Sequence, residues 1–307
     1  MQLLQFKALA DVTRLRLLYI LQRYEFSVNE LVQIMQMGQS RISRHLKILS
    51  EAGLLQFRRE GLWIFYTVPH EGKAHDFLSA IVPFWEVTAE MQADSNACEH
   101  VLEERNAKSR QFFDTIAEKW DDLNREILGE FDLPAAVAAS MPETCRVAAD
   151  LGCGTGTVLN SICKFCHESI GVDNSQRMLD CCAKRFQKEG LPREHLSLRI
   201  GEITHLPLRD HEVQFACINL VLHHVSDPQT ALLETRRCLE TNGKLFIADF
   251  LQHNDEMMRV RYGDLRLGFG REEIKRWLEK AGFLLEKIDE ILVRRNLTLL
   301  IFVAKAI

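Results

Sequence analysis

The sequence predicts an α/β protein in two parts, a winged helix-turn-helix domain followed by a Rossmann-like domain. Two observations carry this prediction: two short helices and a hairpin near the N-terminus, and a glycine-rich turn that begins at Asp150, halfway along the chain. A chain of 307 residues suffices for about two domains of ordinary size. We expect the domains at residues 1–92 and 125–307, joined by a helix-prone connector at 93–124 that contains neither Pro nor Gly.

The composition, 47% apolar and 26% charged, is typical of a soluble globular protein. No apolar run approaches the ~20 residues of a membrane span, and Asp11, Arg14 and Arg16 interrupt the segment where a signal peptide needs an apolar core. We therefore expect a cytoplasmic protein without membrane contact. The net charge of −5 is unevenly spread: residues 1–69 carry +4 and the remainder −9, so the two parts have different electrostatic partners.

Ser27 and Glu30, three residues apart, form a capping-box pattern that predicts the start of a helix. A short turn with Gly38 follows, and then a second amphipathic helix in "SRISRHLKILSEAGLL". Its apolar stripe consists of Ile42, Leu46 and Leu49, and its opposite face contains Ser40, Ser43, Arg44 and Lys47. This arrangement is typical of a helix-turn-helix whose second helix lies in a DNA major groove.

The next segment, "LLQFRREGLWIFYTV", has β-forming residues on both sides of Glu60-Gly61 and predicts a hairpin. Arg58 and Arg59 lie near its tip, where they suit phosphates or a minor groove. The basic helix face alone is equally consistent with a solvated surface. A hairpin directly after that helix favours DNA binding.

Residues 3–68, including "ALADVTRLRLLYIL" and "QSRISRHLKILSEAGLLQFRREGLWIFYTV", resemble the ArsR-type winged-helix repressors. The resemblance implies a homodimer that pairs through the first helix and the helix after the wing and docks on a twofold-related DNA operator. It also implies that five residues face the groove: Ser40, Arg41, Ser43, Arg44 and Lys47. His45 lies beside the apolar stripe, so we interpret it as a packed structural histidine.

The sequence departs from the metal-sensing members of that group. The first helix of the pair, "ELVQIMQM", contains no cysteine, and the spacing of His70, His75, Asp76, Cys98 and His100 does not match the histidine–carboxylate site of other members. Nine cysteines, an odd number, fit a reducing compartment, and the single CxxC at Cys163 and Cys166 has no second pair, so core thiols are favoured over a zinc site. We expect no metal site.

In the second part, the β-rich run "CRVAAD" leads into glycines at 152, 154 and 156, which allow a ligand to approach the backbone closely. Thr157 stands where a dinucleotide-binding fingerprint has its last glycine, which argues against NAD. A second strand, "ESIGVDNS", ends at Asp173, where a carboxylate can accept hydrogen bonds from both ribose hydroxyls. Phe112, Phe113, Ile116 and Trp120 recur at helical spacing in the connector, and we expect them to pack on this second domain.

Further segments in order, "IGEITHLPL", "EVQFACINLVLHHVSDP" and "CLETNGKLFIADF", complete a resemblance to class I S-adenosylmethionine-dependent methyltransferases over roughly residues 112–250. The resemblance implies that S-adenosylmethionine or S-adenosylhomocysteine binds here. Asp150 and the glycine turn would surround the methionine part, Asp173 would hold the ribose, Glu202 and Ile203 would border the adenine, and Asn219 would line the methionine side. The implied cofactor-binding set is Asp150, Gly152, Gly154, Gly156, Asp173, Asn174, Glu202, Ile203 and Asn219.

Two functions remain open. The favoured one is a transcriptional repressor whose methyltransferase-like domain senses S-adenosylmethionine or S-adenosylhomocysteine and controls methionine-cycle genes, as the resemblance implies. The alternative is a working methyltransferase of a small-molecule acceptor with an appended DNA-binding domain. Methyl transfer needs mainly positioning, so the absence of an obvious catalytic triad decides nothing. We assign no catalytic residue, although His223, His224, His253 and Tyr262 are polar candidates.

Overall fold

The computed structural model describes residues 2–60, 63–190 and 195–307. The chain divides into two compact units, Met1–Arg105 and Asn106–Ile307. The boundary falls within one long helix, α6 (Ala89–Ile116), in the region expected to connect the domains. Among the described residues, no helix combines the length and the apolar character needed to cross a bilayer.

The N-terminal unit contains the predicted helix pair and wing. Its helices are α1 (Gln2–Leu9), α2 (Val12–Leu21), α3 (Val28–Met35), α4 (Gln39–Glu51), α5 (Gly72–Ile81) and the first part of α6. Its strands are β1 (Phe26–Ser27), β2 (Gln56–Glu60) and β3 (Trp63–Thr67), in the antiparallel order β1-β3-β2. The capping box at the start of α3 is confirmed, and β2 and β3 pair as expected of a hairpin, although Gly61 at its tip lies outside the described residues.

The apolar stripe of α4 fixes its orientation in the core of this unit. Ile42, Leu46 and Leu49 are fully buried against residues of α2 and α3, such as Leu17 and Leu31. The opposite face of α4 therefore points away from the core.

A buried ion pair attaches α6 to α2. The Arg16 guanidinium donates to both carboxylate oxygens of Asp94, at 2.7 and 2.6 Å, and only 4% of the Asp94 side chain is exposed. A carboxylate at this depth needs the paired cation, because its own desolvation is costly.

The C-terminal unit is an α/β sandwich. Its helices are the last part of α6, α7 (Trp120–Leu128), α8 (Leu133–Ser140), α9 (Thr157–Ile162), α10 (Gln176–Lys188), α11 (Pro228–Cys238) and α12 (Arg271–Lys280). Its strands are β4 (Val147–Leu151), β5 (Glu168–Asp173), β6 (Leu196–Ile200), β7 (Val213–Asn219), β8 (Leu239–Phe250), β9 (Phe283–Leu292) and β10 (Thr298–Ala306).

The described strands of this unit form one sheet in the order β6-β5-β4-β7-β8-β10-β9. The first five in that order are parallel, whereas β10 is antiparallel to both β8 and β9. Alternate residues of β4 enter two different apolar clusters, Val147 and Ala149 in one and Ala148 in the other, so both faces of the sheet are covered. The carboxyl ends of β4, β5, β7 and β8 meet at one edge, the usual ligand-binding edge of such a sheet.

The aromatic residues of the connector pack on this unit, as predicted. The Phe113 ring contacts Trp120 edge-on, with centroids 5.2 Å apart, and also contacts His224 at 4.7 Å. Phe112 lies against Gly263, where an added Cβ would come within 2.5 Å of the ring. The end of α6 thus belongs to the C-terminal unit.

We predict that Arg16→Met lowers the free energy of unfolding of the N-terminal unit by about 3 kcal/mol, because it leaves the Asp94 carboxylate buried without its cation. Urea denaturation followed by circular dichroism measures the change. The double variant Arg16→Met/Asp94→Leu should recover most of the loss. Equal losses in the single and double variants would show that the ion pair is not the cause.

Candidate functional site

The glycine turn after β4 depends on backbone conformations that other residues rarely adopt. Gly152, Gly154 and Gly156 have φ angles of 82°, 51° and 81°. A Cβ on Gly152 would lie 2.4 Å from a methyl carbon of Val221, and one on Gly156 would lie 2.4 Å from the Cys182 sulfur. The bare backbone of this turn is therefore a steric requirement of the surrounding core.

Asp173, at the end of β5, holds the turn in place. Its carboxylate accepts a hydrogen bond from the Gly154 N–H at 2.8 Å and another from the Ser175 N–H at 2.9 Å. Burial raises the pKa of Asp173 to about 6, and the nearby charge of Glu202 acts in the same direction. A carboxylate at this strand end can also accept hydrogen bonds from a ribose diol.

The residues assigned to the adenine side lie beside Asp173. The Asn174 side chain donates to Glu202 at 3.2 Å, and Ile203 next to it is 9% exposed. The guanidinium of Arg110, from the end of α6, lies 3.9 Å from the other Glu202 oxygen. The structure thus brings Asp173, Asn174, Glu202 and Ile203 together.

Asp150 and Asn219 form the other end of the site. The Asp150 carboxylate is 2% exposed and accepts hydrogen bonds from the Cys217 thiol at 3.3 Å and the Asn219 amide at 3.5 Å. Burial raises the pKa of Asp150 to about 7. The Asn219 amide oxygen is buried, and no described residue donates to it. This end therefore offers acceptors to a ligand that carries hydrogen-bond donors, such as an amino group.

Side chains from α6 and α7 border the turn, and the sequence analysis missed their polar contacts. Asp114 accepts from the Ser175 hydroxyl at 2.5 Å, and Asp121 accepts from Thr155 and pairs with Arg185. The local sequence carried one signal, the helical spacing of the aromatic residues that places α6 and α7 on this domain. The polar partners lie 34 to 64 residues away in the chain and leave no local pattern.

Of the two histidines after β7, His223 is buried beside carboxylates and His224 is half-buried. His223 is 2% exposed, and its Nδ1 lies 2.7 Å from a carboxylate oxygen of Asp249. Burial alone would lower the pKa of His223, but the carboxylates of Asp249 and Asp264 outweigh it and raise the pKa to about 9. Burial lowers the pKa of His224 well below its usual value, and the adjacent His223 acts in the same direction. The sequence identified these histidines as polar candidates but not their partners.

In the N-terminal unit, the residues assigned to the DNA groove share one exposed face of α4: Ser40, Arg41, Ser43, Arg44 and Lys47. Lys47 forms a loose ion pair with Glu51 at 3.8 Å, and both side chains remain mostly exposed. His45 is 9% exposed and packs near Asp11, in agreement with a structural role.

The two wing arginines differ. Arg58 donates to the Glu25 carboxylate at 2.7 Å, pairs with Glu60 and lies over the Phe65 ring, with only 18% of its side chain exposed. Arg59, on the opposite face of β2, is exposed. With only 18% of its side chain exposed, Arg58 is less accessible to a phosphate than the exposed Arg59, so Arg59 is the better candidate for a phosphate contact.

Comparison with family models identifies both parts of the chain. Residues 11–56 match the model described as "Bacterial regulatory protein, arsR family", and residues 149–247 match the model described as "Methyltransferase domain". The arsenic resistance transcriptional regulator ArsR1 of Pseudomonas putida is 45% identical over 67 residues, 22% of this chain and 52% of the regulator.

Among curated relatives, the demethylmenaquinone methyltransferase of Thermobifida fusca is 31% identical over 171 residues, 55% of this chain and 70% of the enzyme. An uncharacterized 37.1 kDa protein in transposon TN4556 of Streptomyces fradiae is 40% identical over 123 residues, 39% of this chain. The chain spans 34% of that protein and 39% of an uncharacterized methyltransferase of Schizosaccharomyces pombe.

Solved structures share the fold of the C-terminal part. The [4+2]-cyclase SpnF superimposes with a TM-score of 0.56 at 16% identity, covering 64% of this chain and 94% of its own. A SAM dependent methyltransferase from Aquifex aeolicus gives a TM-score of 0.51 at 20% identity, with 63% and 98% coverage. Identities this low establish the fold alone.

We predict that Arg44→Ala weakens binding to a specific operator by about 1–3 kcal/mol, because this exposed side chain of α4 is assigned to base edges. Arg59→Ala should weaken operator and random-sequence DNA alike and reduce the salt dependence by about one counterion. Fluorescence anisotropy on both DNAs over a salt series measures these effects. Equal losses for the two variants on both DNAs would contradict the assignment of groove and wing contacts.

We also predict that Asp150→Asn stabilises the ligand-free C-terminal unit at pH 8, by about 3 kcal/mol. The folded-state pKa of Asp150 is raised to about 7, so its favourable contribution is present when it is protonated and is lost as the pH rises through 7. Asparagine has no such titration, so its advantage should shrink as the pH falls towards 4. Thermal denaturation of both proteins across this range is the measurement. An advantage that does not change with pH would contradict the electrostatic explanation.

Proposed function

We propose that this chain, which belongs to the methyltransferase family through its C-terminal part and carries an N-terminal arsR-family helix-turn-helix domain, is a DNA-binding transcriptional repressor controlled by an adenosyl ligand. The effector in this proposal is S-adenosylmethionine or, preferably, S-adenosylhomocysteine. Genes of the methionine cycle are the proposed targets, because these two ligands report the state of that cycle.

The proposed DNA interface is the exposed face of α4 together with Arg59 of the wing. Five polar or basic side chains on one helix face suit base edges and phosphates, while the apolar stripe of the same helix is buried in the core. We propose a homodimer, so that two such helices read half-sites about one helical turn, ~10 bp, apart. Two copies of one basic surface also suit a twofold-related operator.

The observation that carries the ligand proposal is the arrangement of acceptors at the carboxyl ends of β4, β5 and β7. Asp173 suits the ribose hydroxyls, while the Asp150 carboxylate and the Asn219 amide oxygen suit the amino group of the methionine part. The two candidate ligands share these groups and differ by one methyl and one positive charge at sulfur. A sensor of their ratio must therefore discriminate near Asn219 rather than at Asp173.

Methyl transfer to a small molecule is the second candidate function. It is favoured by the match to a demethylmenaquinone methyltransferase along 70% of that enzyme's length. The reaction is an in-line displacement from a sulfonium, so positioning of an acceptor supplies much of the rate without a dedicated acid or base. The two functions are compatible in one chain, and no catalytic residue is assigned for the second.

We expect S-adenosylhomocysteine to change operator affinity by about fivefold or more, the lower end of common allosteric couplings, and S-adenosylmethionine to change it less. Fluorescence anisotropy with the full chain, with each ligand and without ligand, measures this. Asp173→Ala should abolish the effect and calorimetric binding of both ligands, yet preserve ligand-free DNA binding. Glu143→Ala, which removes an exposed carboxylate of the same unit, is the matched control and should behave as the parent.

Two results would contradict the proposal. If neither ligand changes operator affinity while the purified protein methylates a small molecule, the chain is a methyltransferase and the repressor proposal is wrong. If Asp173→Ala binds both ligands as tightly as the parent, the pocket has been assigned to the wrong residues.

A further inference from the structure

His223, His224 and Asp264 converge at the carboxyl end of β7 in a group that neither proposed function uses. One ligand atom from each of the three side chains lies within 4.8 Å of the others. His223 and His224 belong to the helical turn that follows β7, and Asp264 belongs to the segment after β8. Val221, two residues before His223, packs on Gly152, so the group neighbours the glycine turn.

The backbone fixes this convergence. The amides of Leu265 and Arg266 both donate to the His223 carbonyl, at 3.1 and 3.0 Å. Gly263 adopts a left-handed φ of 77°, and the next amide, that of Asp264, donates to the Met258 carbonyl at 3.3 Å. Asp264 is thereby held against the histidine turn by main-chain bonds and does not depend on its own side chain for its position.

Each histidine ring is oriented by a partner at Nδ1. The Nδ1 of His223 lies 2.7 Å from the Asp249 carboxylate, and that of His224 lies 3.2 Å from the Gly263 carbonyl oxygen. Both partners are acceptors, so each Nδ1 carries the proton and donates it. When a ring of this tautomer is neutral, its Nε2 lone pair can bind a metal ion, and a carboxylate or carbonyl at the other ring nitrogen is the usual support of a metal-binding histidine. At His223 the metal ion would take the place of the proton that the neighbouring carboxylates otherwise favour at Nε2.

Three buried polar atoms of this group, the Nε2 of His224 and the two carboxylate oxygens of Asp264, have no hydrogen-bond partner among the described residues. The side chain of Asp264 is completely buried, and neither of its oxygens accepts a hydrogen bond from any described residue. The Nε2 of His224 is buried in the same condition. A buried carboxylate and a buried imidazole nitrogen without partners are costly, and one bound cation would satisfy both.

We propose that His223, His224 and Asp264 bind one divalent transition-metal ion, of the Zn²⁺ class, through two Nε2 nitrogens and a carboxylate oxygen. Two ligands at ~2.1 Å from an ion in tetrahedral geometry stand ~3.4 Å apart. The Nε2 of His223 and the nearer Asp264 oxygen are 3.7 Å apart. Nitrogen and oxygen ligands of this number suit zinc and leave a coordination position for a water molecule or another ligand.

The competing explanation is a proton in place of the metal ion. A charged His223 between Asp249 and Asp264 forms an ion triad without any metal. That arrangement gives one Asp264 oxygen a partner but leaves the buried Nε2 of His224 without a donor. The metal ion satisfies all three groups, which is why we favour it.

Titration of chelator-treated full-length protein with Co²⁺, in the absence of adenosyl ligands, tests the proposal. We expect one equivalent per chain with visible d–d absorption and no thiolate charge-transfer band, followed by displacement with Zn²⁺. Asp264→Asn, which is nearly isosteric, should weaken binding at least tenfold. Asp210→Asn removes a surface carboxylate of the same unit that pairs with Arg237, and it serves as the matched control with parental affinity.

The cysteine thiols are the alternative metal ligands, and a thiolate charge-transfer band would reveal them. His224→Gln is a second variant that tests the proposed site. If Asp264→Asn fails to fold, as judged by circular dichroism, His224→Gln should show the same loss of Co²⁺ binding. Absence of stoichiometric binding by the parent would overturn the proposal. So would binding that shows a thiolate band or that is unchanged in the folded variants, because the ion would then occupy another site.

Discussion

The left-handed backbone of the turn after β4 is the constraint on which the C-terminal unit depends. Gly152 and Gly156 press directly on Val221 and Cys182, so any larger residue would separate β4 from β7 or α10. The Gly154 amide binds Asp173, which ties the same turn to β5. One short segment thereby sets the spacing of three strand ends, and these ends hold the acceptors Asp150, Asp173 and Asn219 of the candidate site.

Features that depend on residues only a few positions apart could be predicted from the sequence, because helix caps and helical periodicity are set by near neighbours in the chain. The capping box at Ser27 and Glu30, the apolar stripe of α4 and the aromatic spacing of α6 all appear as expected. The ion pair of Arg58 with Glu25 joins residues 33 positions apart, and no periodicity of the sequence indicates it. The same holds for His223, whose acidic partners follow it by 26 and 41 residues, so only the folded chain reveals that cluster.

Carboxylates accumulate at the candidate ligand-binding edge of the sheet at an electrostatic cost. Burial raises the pKa of Asp150 and of Asp264 to about 7, and that of Asp173 to about 6. Each of these groups is more stable protonated in the folded chain than in the unfolded one, so ionisation near neutral pH opposes folding. Donor-rich or cationic ligands would relieve this cost. Binding at this edge and stability of the C-terminal unit are therefore expected to be thermodynamically linked.

The position of β10 between β8 and β9 has a consequence for biosynthesis. β10 is the last of the described strands to leave the ribosome, yet it supplies the antiparallel partner of both neighbours. Until it emerges, β8 has one unpaired edge and β9 has no partner in the sheet, a situation that favours aggregation. The helix-turn-helix and wing lie within the first 105 residues, so they can form well before that moment. Nascent chains would thus contain a folded N-terminal unit while the sheet of the C-terminal unit still lacks β10. Chaperone binding is most useful during this period.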